Sequence, residues 1–518
     1  MPLHRRRLLQ LAGAAASTLW VPRSAWSQAK FTSNPFALGV ASGSPTHDSV
    51  VLWTRLVAPA LNQPVTVRWE LARDESFKSI VQSGQSQALP ELAHSVHVEA
   101  NRLDADRWYF YRFFAGDEAS PVGRTRTFPA PDADAARLRL AYASCQRYEH
   151  GYFSAYRHMA AEQPDAVLFL GDYIYEYPGA KDAVRVPTGG WVVTLDDYRQ
   201  RYALHKAEPE LQAMHAACPW LVTWDDHEVQ NDYAGLTRGE NGPEVSDFAA
   251  RRAAAYQAFY EHMPLRASTL TQAVAGLVKG AETRVYAEHR FGKLASIVLL
   301  DDRQYRDAQV CTKGGKPGSS TIDPAACAAL ADPKRTLLGA PQEAWLDQKF
   351  AHAGPGWNVL GQQTLFGTRD FATGSASPQV WNDGWDGYPA ARQRLIGQMR
   401  RHALRNAVLL GGDVHENWVG HVKADYADAK SASIGVEFCG TSITSRSGGN
   451  EKTAERLARN PHFVFADAQR KGYGVCEFTP KRMTTTLRVV SDVTKRDAGI
   501  ETLASFVVEE GRSKIEPA

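Results

Sequence analysis

Several familiar signposts are missing from this chain. None of its six cysteines forms a Cys-x-x-Cys pair, which excludes a zinc ribbon or a thioredoxin-like redox motif. No sign of charge dominates either. Lys and Arg number 59 against 57 Asp and Glu, and a formal charge of +2 gives nucleic acid no electrostatic footprint. No Gly-x-Ser-x-Gly elbow offers a serine nucleophile, no internal repeat is visible, and no apolar run is long enough for a transmembrane helix. Core-forming material, by contrast, is plentiful: 44% of residues are hydrophobic, with 13 Trp, 19 Tyr and 20 Phe, which excludes a disordered or collagenous chain. At 518 residues the expectation is two globular domains of unequal size.

The N-terminus carries the sequence His4-Arg5-Arg6-Arg7-Leu8-Leu9-Gln10 ahead of a short apolar stretch at 11–20, and Ser27-Gln28-Ala29 offers a small-x-small cleavage site. Residues 1–29 resemble a twin-arginine signal peptide; the competing reading is an amphipathic first helix. Cleavage would remove Arg5, Arg6, Arg7 and Arg23 and no acid, taking the formal charge from +2 to −2. The expectation is a soluble protein carried by the twin-arginine export machinery, periplasmic or secreted, and folded before export. Cys311 and Cys327 flank a polar insert rich in Gly, Pro and Ser at 312–326. In an oxidising compartment that pair reads as a loop staple contributing roughly 3 kcal/mol, against the alternative of two unrelated thiols.

Short alternating segments at 49–56, 65–72, 94–100 and 108–114, with a last strand at 124–128, predict an N-terminal antiparallel β-sandwich over 30–131. A Pro-, Ala- and Asp-rich linker at 129–134 follows. Over 132–518 the pattern changes to buried strands separated by helical stretches such as 151–163 and 249–262. Six apolar runs end in polar residues: 138–144 at Cys145, 166–170 at Gly171-Asp172, and 221–224 at Asp225-Asp226-His227-Glu228; then 296–300 at Asp301-Asp302-Arg303, 359–361 at Gln362-Gln363, and 408–410 at Gly411-Gly412-Asp413-Val414-His415. Repetition of that ending predicts a layered α/β fold with its ligands outside the carboxyl ends of the strands.

Those endings hold the candidate chemistry. Asp172 and Tyr175, three apart after a strand, can converge on one point, and carboxylate with phenolate suits a hard trivalent ion such as ferric iron. Cys145 and His415 could complete a mixed-ligand site. Each alone reads more simply as a core residue; gathered at neighbouring strand ends they read as ligands. Asp225, Asp226, His227 and Glu228 place three acids and a histidine side by side, which is costly to bury without a cation, and Asn231, Asp232 and Asp413 extend the oxygen donors. Carboxylates and amides without sulfur point to magnesium, manganese or calcium, with Asp172 able to bridge two ions.

The chain resembles the PhoD family of alkaline phosphatases, within the calcineurin-like metallophosphoesterases and related at the site to purple acid phosphatases. The resemblance spans nearly the whole chain. Phe36-Ala37-Leu38-Gly39-Val40-Ala41-Ser42-Gly43 and Val51-Leu52-Trp53-Thr54-Arg55-Leu56 are similar to the start of the family's N-terminal β domain. Ser144-Cys145-Gln146, Gly171-Asp172-Tyr173-Ile174-Tyr175-Glu176 and Trp224-Asp225-Asp226-His227-Glu228-Val229 with Asn231 are similar to its catalytic motifs, as are Leu300-Asp301-Asp302-Arg303-Gln304-Tyr305-Arg306 and Gly412-Asp413-Val414-His415. The resemblance implies a layered β-sheet metallophosphoesterase core, with Fe3+ held by Cys145, Asp172, Tyr175 and His415. Ca2+ would be held by Asp226, Asn231 and Asp413, with Asp225 and Asp301 as further candidates. The chain departs from the broader superfamily in having Cys145 in place of Asp-x-His and Asp226 in place of Asn. Asp302 and Asp232 stand where close relatives would carry Thr and Asn.

Metals at such a centre would neutralise phosphate and activate a water or bridging oxide for in-line attack. His227 is the candidate for protonating the leaving oxygen and Arg303 for holding phosphate, although Arg303 also has Asp301 and Asp302 as possible ion-pair partners. The expected function is an exported alkaline phosphatase acting on phosphate monoesters and diesters. The alternatives are a phospholipase D-type diesterase of the same family and a non-catalytic calcium-binding surface protein.

Overall fold

Alternation along the buried strands fixes the layering. In Leu138–Ala143, Leu138, Leu140 and Tyr142 enter one core while Ala141 and Ala143 enter another. A strand apolar on both faces has to lie between two layers. The computed structural model describes residues 30–270 and 283–518, and the segment at 1–29, expected from its sequence to direct export, lies outside the described residues. It places Leu138–Ala143, Ala166–Phe169 and Trp220–Val222 side by side and parallel in a ten-stranded sheet. Ala295–Leu299, Trp357–Gly361 and Ala407–Gly411 are likewise parallel in a seven-stranded sheet.

The two sheets face each other. Leu140, Tyr142, Leu168 and Leu221 of the first meet Ile297, Val359, Val408 and Leu410 of the second in a shared core. On the outer face of the first sheet, Val167, Phe169, Trp220 and Val222 pack beneath the helices Ala155–Ala161, Leu195–Lys206, Pro209–Ala217 and Phe248–His262. On the outer face of the second, Val298, Leu360 and Leu409 pack against Gly339–Ala351 and Pro389–Arg401. The order is helices, sheet, sheet, helices: the layered α/β fold expected from the strand endings, with all six of those strands present.

In the N-terminal region, Ser49–Arg55 and Ser95–Asn101 form one wall of a sandwich, and Val65–Ala72 and Trp108–Ala115 lie in the other. Val50, Leu52, Val96 and Val98 close on Val67, Leu71, Tyr109 and Tyr111. Three strands were not anticipated, the two-residue Glu118–Ala119 among them. Ile80–Ala88 is polar on both faces through its middle, at 82–87, and among the described residues pairs only with Val65–Ala72, so it carries no alternation to read. Val40–Gly43 pairs with Ser49–Arg55 and, through Gly43, in parallel with Trp220, so this wall extends the ten-stranded sheet. A Cβ on Gly43 would lie 2.6 Å from the Trp220 carbonyl oxygen.

Cys311 and Cys327 are joined, with their Cα atoms 6.0 Å apart across a separation of 16 residues. Polar as the insert is, Cys327 is buried beside Ile322 and Leu330, which give it a small core. Thr321–Ile322 pairs with Val380–Trp381 and ties the insert to the second sheet's loops. Among the described residues no helix is long and apolar enough to cross a membrane.

Candidate metal centre

The carboxyl ends of both sets of parallel strands converge, and their loops approach too closely for ordinary side chains. Gly171 has φ +103° and a Cβ there would lie 2.5 Å from the Asp225 backbone nitrogen; a Cβ on Gly412 would lie 2.3 Å from the Ser144 hydroxyl. Cys145, Asp172, Asp413 and His415 adopt φ of 59, 57, 63 and 58°. For non-glycine residues this left-handed region costs on the order of 1–3 kcal/mol each and concentrates at functional sites. Glu228 binds two of these loops together, accepting the backbone N–H groups of Asp172, Tyr173 and Asp225 at 3.1, 2.5 and 2.7 Å.

One half of the centre has mixed donors. The Tyr175 hydroxyl donates to Asp172 at 2.8 Å, lies 3.1 Å from His415 Nε2 and accepts from Ser445 at 2.7 Å. His415 Nδ1 donates to the Arg446 carbonyl at 2.9 Å, which leaves Nε2 as the free lone pair. Burial, followed by the Lys471 charge, lowers the His415 pKa to about 3, so the ring is neutral, as a ligand must be. Donor atoms of Cys145, Asp172 and His415 lie within 4.8 Å of one another. Burial and then the Asp172 charge push the Cys145 thiol well above its usual range, and burial does the same to Tyr175. A cation among them would reverse both shifts.

The other half is acidic. Asp225, Asp226 and Asp413 form one group of converging oxygens and Asp226, Asp232 and Asp383 another, while Asp172, Asp226 and His227 link the acids to the mixed-donor half. Arg303, with its side chain 1% exposed, reaches into these acids. It pairs with Asp225, donates to Asp383 at 2.6 Å, and stands 3.7 Å from both Asp226 and Asp413. Arg306 also pairs with Asp383. Burial lifts the Asp225 carboxyl to about 6 and pushes Asp413 well above the carboxylate range. At Asp226 the charges of Arg303 and His227 outweigh burial and hold the carboxyl below that range. Asp225 Oδ2 and Asp413 Oδ2 are buried without a hydrogen-bond partner. Orphaned acceptors among acids that two arginines do not neutralise suit the binding of a cation.

His227 sits between the halves. Its Nδ1 is 2.7 Å from Glu176 Oε2, its ring lies 4.1 Å from that of Tyr175, and its backbone N–H points to Asp226 at 3.1 Å. Burial disfavours the His227 cation, yet Glu176, Asp172 and Asp226 outweigh burial and hold its pKa well above the usual value. Asn231 is tied in by its N–H to Glu176 at 2.7 Å and by its Oδ1, which accepts from Tyr177 at 2.8 Å.

One sequence candidate, Asp301, lies apart from the converging groups. Asp301 spends both oxygens on its own loop, accepting from Trp224 Nε1, the Arg303 and Gln304 backbone and the Gln304 amide at 2.9–3.1 Å. Arg303 faces neither Asp301 nor Asp302 but Asp225 and Asp383. Asp383 and Glu176 were missed. Asp383 follows no long apolar run; its one signal is an Asn-Asp-Gly turn framed by Trp381 and Trp385. The stapled insert also reaches the acidic half: Ser319 N–H donates to Asp232 at 3.1 Å, and Ser320 N–H to Asn382, beside Asp383, at 2.6 Å.

Facing sheets with carboxylates gathered at their shared carboxyl edge form the core of a phosphoric ester hydrolase, the class to which its relatives assign it. Residues 140–487 match the family described as PhoD-like phosphatase, and residues 22–129 match the PhoD-like phosphatase N-terminal domain. The chain belongs to the PhoD-like phosphatase family and is a phosphoric ester hydrolase. It is 47% identical over 497 residues to alkaline phosphatase D of Bacillus subtilis (strain 168), covering 93% of this chain and 82% of that protein. A solved structure titled Structure of PhoD superposes with a TM-score of 0.87 at 45% identity, covering 94% of this chain and 93% of that one.

Proposed function

We propose that the protein is an exported, metal-dependent phosphatase acting on phosphate monoesters and diesters. Ferric iron is assigned to Cys145, Asp172, Tyr175 and His415, and calcium to Asp226, Asn231 and Asp413 with Asp225 beside them. Asp172 is assigned to both ions. The observation that carries this reading is the Tyr175 hydroxyl, set between Asp172 and His415. Phenolate, thiolate, imidazole and carboxylate together suit a hard trivalent ion, while the sulfur-free acidic half suits calcium. The basic segment at 1–29 supports export to the periplasm or beyond.

When bound, such ions neutralise the phosphoryl group and lower the pKa of a coordinated water. Glu176 orients His227 through Nδ1, which leaves Nε2 to exchange a proton with the leaving oxygen. Arg303 and Arg306 relieve repulsion among the acids and hold their oxygens in register. Asp301 fixes the Arg303 backbone and so positions this counter-ion.

Turnover of p-nitrophenyl phosphate and bis-p-nitrophenyl phosphate, with and without EDTA or EGTA, tests the reading. Both substrates should turn over, chelator should abolish activity, and calcium should restore it while iron stays bound. Full activity after long incubation in excess chelator would overturn the metal mechanism. Activity confined to the diester would favour the phospholipase D-type alternative.

A further inference from the structure

Phosphate esters are recognised by fixed hydrogen-bond donors as well as by charge, and a guanidinium fork matches two phosphoryl oxygens at once. Arg303 is enclosed: its donors end on Asp225 and Asp383, and its side chain is 1% exposed. We infer that Arg147 contacts the substrate's phosphoryl group, a role that rests on the phosphatase reading above.

Arg147 lies two residues beyond Cys145, and its backbone is fixed on both sides. Its N–H donates to Ser445 at 3.2 Å and its carbonyl accepts from Thr444 at 2.8 Å, and this same Ser445 donates to the Tyr175 hydroxyl. The guanidinium rests on the rings of Tyr177 and Tyr175, 4.6 and 5.6 Å from their centroids. Those two rings flank His227 at 5.2 and 4.1 Å. The side chain therefore borders the group assigned to protonate the leaving oxygen, and it is still 20% exposed. Its Nε faces Glu149 across 3.5 Å, longer than a charge-assisted hydrogen bond. Among the described residues the two Nη groups meet no protein acceptor. A cation resting on two aromatic rings, with its Nε toward the buried Glu149 and its Nη groups not hydrogen-bonded to protein among the described residues, is arranged in advance for an oxyanion.

The competing role is a structural brace for the two tyrosines. Equilibrium dialysis of inorganic phosphate against metal-replete protein separates the two, with iron and calcium content and the p-nitrophenyl phosphate KM and kcat measured alongside. Arg147→Ala should weaken phosphate binding and raise KM by roughly 10-fold to 100-fold, with metal content unchanged and kcat altered much less. Arg147→Lys should recover part of the affinity. Unchanged phosphate affinity in Arg147→Ala, with a fall in kcat, metal content or stability, would overturn the proposal in favour of the brace. Wild-type protein that binds phosphate through Arg147 yet turns over no ester would leave the proposal standing and remove the phosphatase reading. Wild-type protein that binds no phosphate would remove the proposal itself.

Discussion

The two halves of the centre are built from opposite materials. Around Tyr175 the groups satisfy one another: the hydroxyl donates to the Asp172 carboxylate and accepts from Ser445, His415 Nε2 lies beside it at 3.1 Å, and among the described residues no arginine is ion-paired with Asp172. Around Asp226 the groups repel one another, and Arg303 and Arg306 are buried among them as counter-ions. A network of mutual hydrogen bonds holds its shape without a metal, whereas a cluster of acids does so only through internal cations. The first half is poised for binding by donor chemistry and the second by charge.

This contrast is sharpest when one member of each half is removed. Arg303→Met strips the acidic half of its central counter-ion and should cost about 3–5 kcal/mol of stability, read from urea denaturation. Tyr175→Phe removes one hydrogen-bonding hydroxyl and should cost only about 1 kcal/mol, while bleaching or shifting the visible absorption expected of ferric phenolate. Similar stability losses in both variants would erase the distinction between the halves.

His227 bridges them, and its effect should be catalytic. His227→Ala should keep its metals and lose roughly 100-fold in rate on an alkyl phosphate, in line with general acid catalysis, and less on p-nitrophenyl phosphate. Equal losses on both substrates with reduced metal content would make His227 a ligand instead.

Much of this was legible because buried strands announce themselves. Runs such as 166–170 and 408–410 are apolar on both faces, so the polar residues that end them stood out, and the spacing of Asp172 and Tyr175 correctly placed them together. Asp383 left no such trace, since it reaches the acidic half from a turn after the two-residue strand Val380–Trp381. Without Asp383 in view, the partners of Arg303 could not be named, and an arginine beside a catalytic motif reads as a phosphate ligand. Glu176 was visible in the Gly171-Asp172-Tyr173-Ile174-Tyr175-Glu176 motif, but its bond to His227 spans 51 residues and depends on two loops meeting. The strand Ile80–Ala88 escaped for a different reason: its middle, at 82–87, is polar on both faces, so no alternation marks it, although Gly84 stays paired with Trp69.

The smallest effect expected concerns the stapled insert, which hydrogen-bonds to the acidic half of the centre and its neighbouring turn through Ser319 and Ser320. Cys311→Ser with Cys327→Ser should raise the calcium concentration needed for half-maximal activity by about 10-fold, as loss of an outer-shell support does, and leave the iron absorption unchanged. A change in the visible band instead would mean that the insert supports both halves.

Elemental analysis of protein purified without added metals, repeated after EGTA treatment and desalting, tests the division of the centre most directly. The account predicts iron in both samples, and calcium only in the first. Zinc without iron in the untreated protein, or iron removed together with calcium by EGTA, would contradict it.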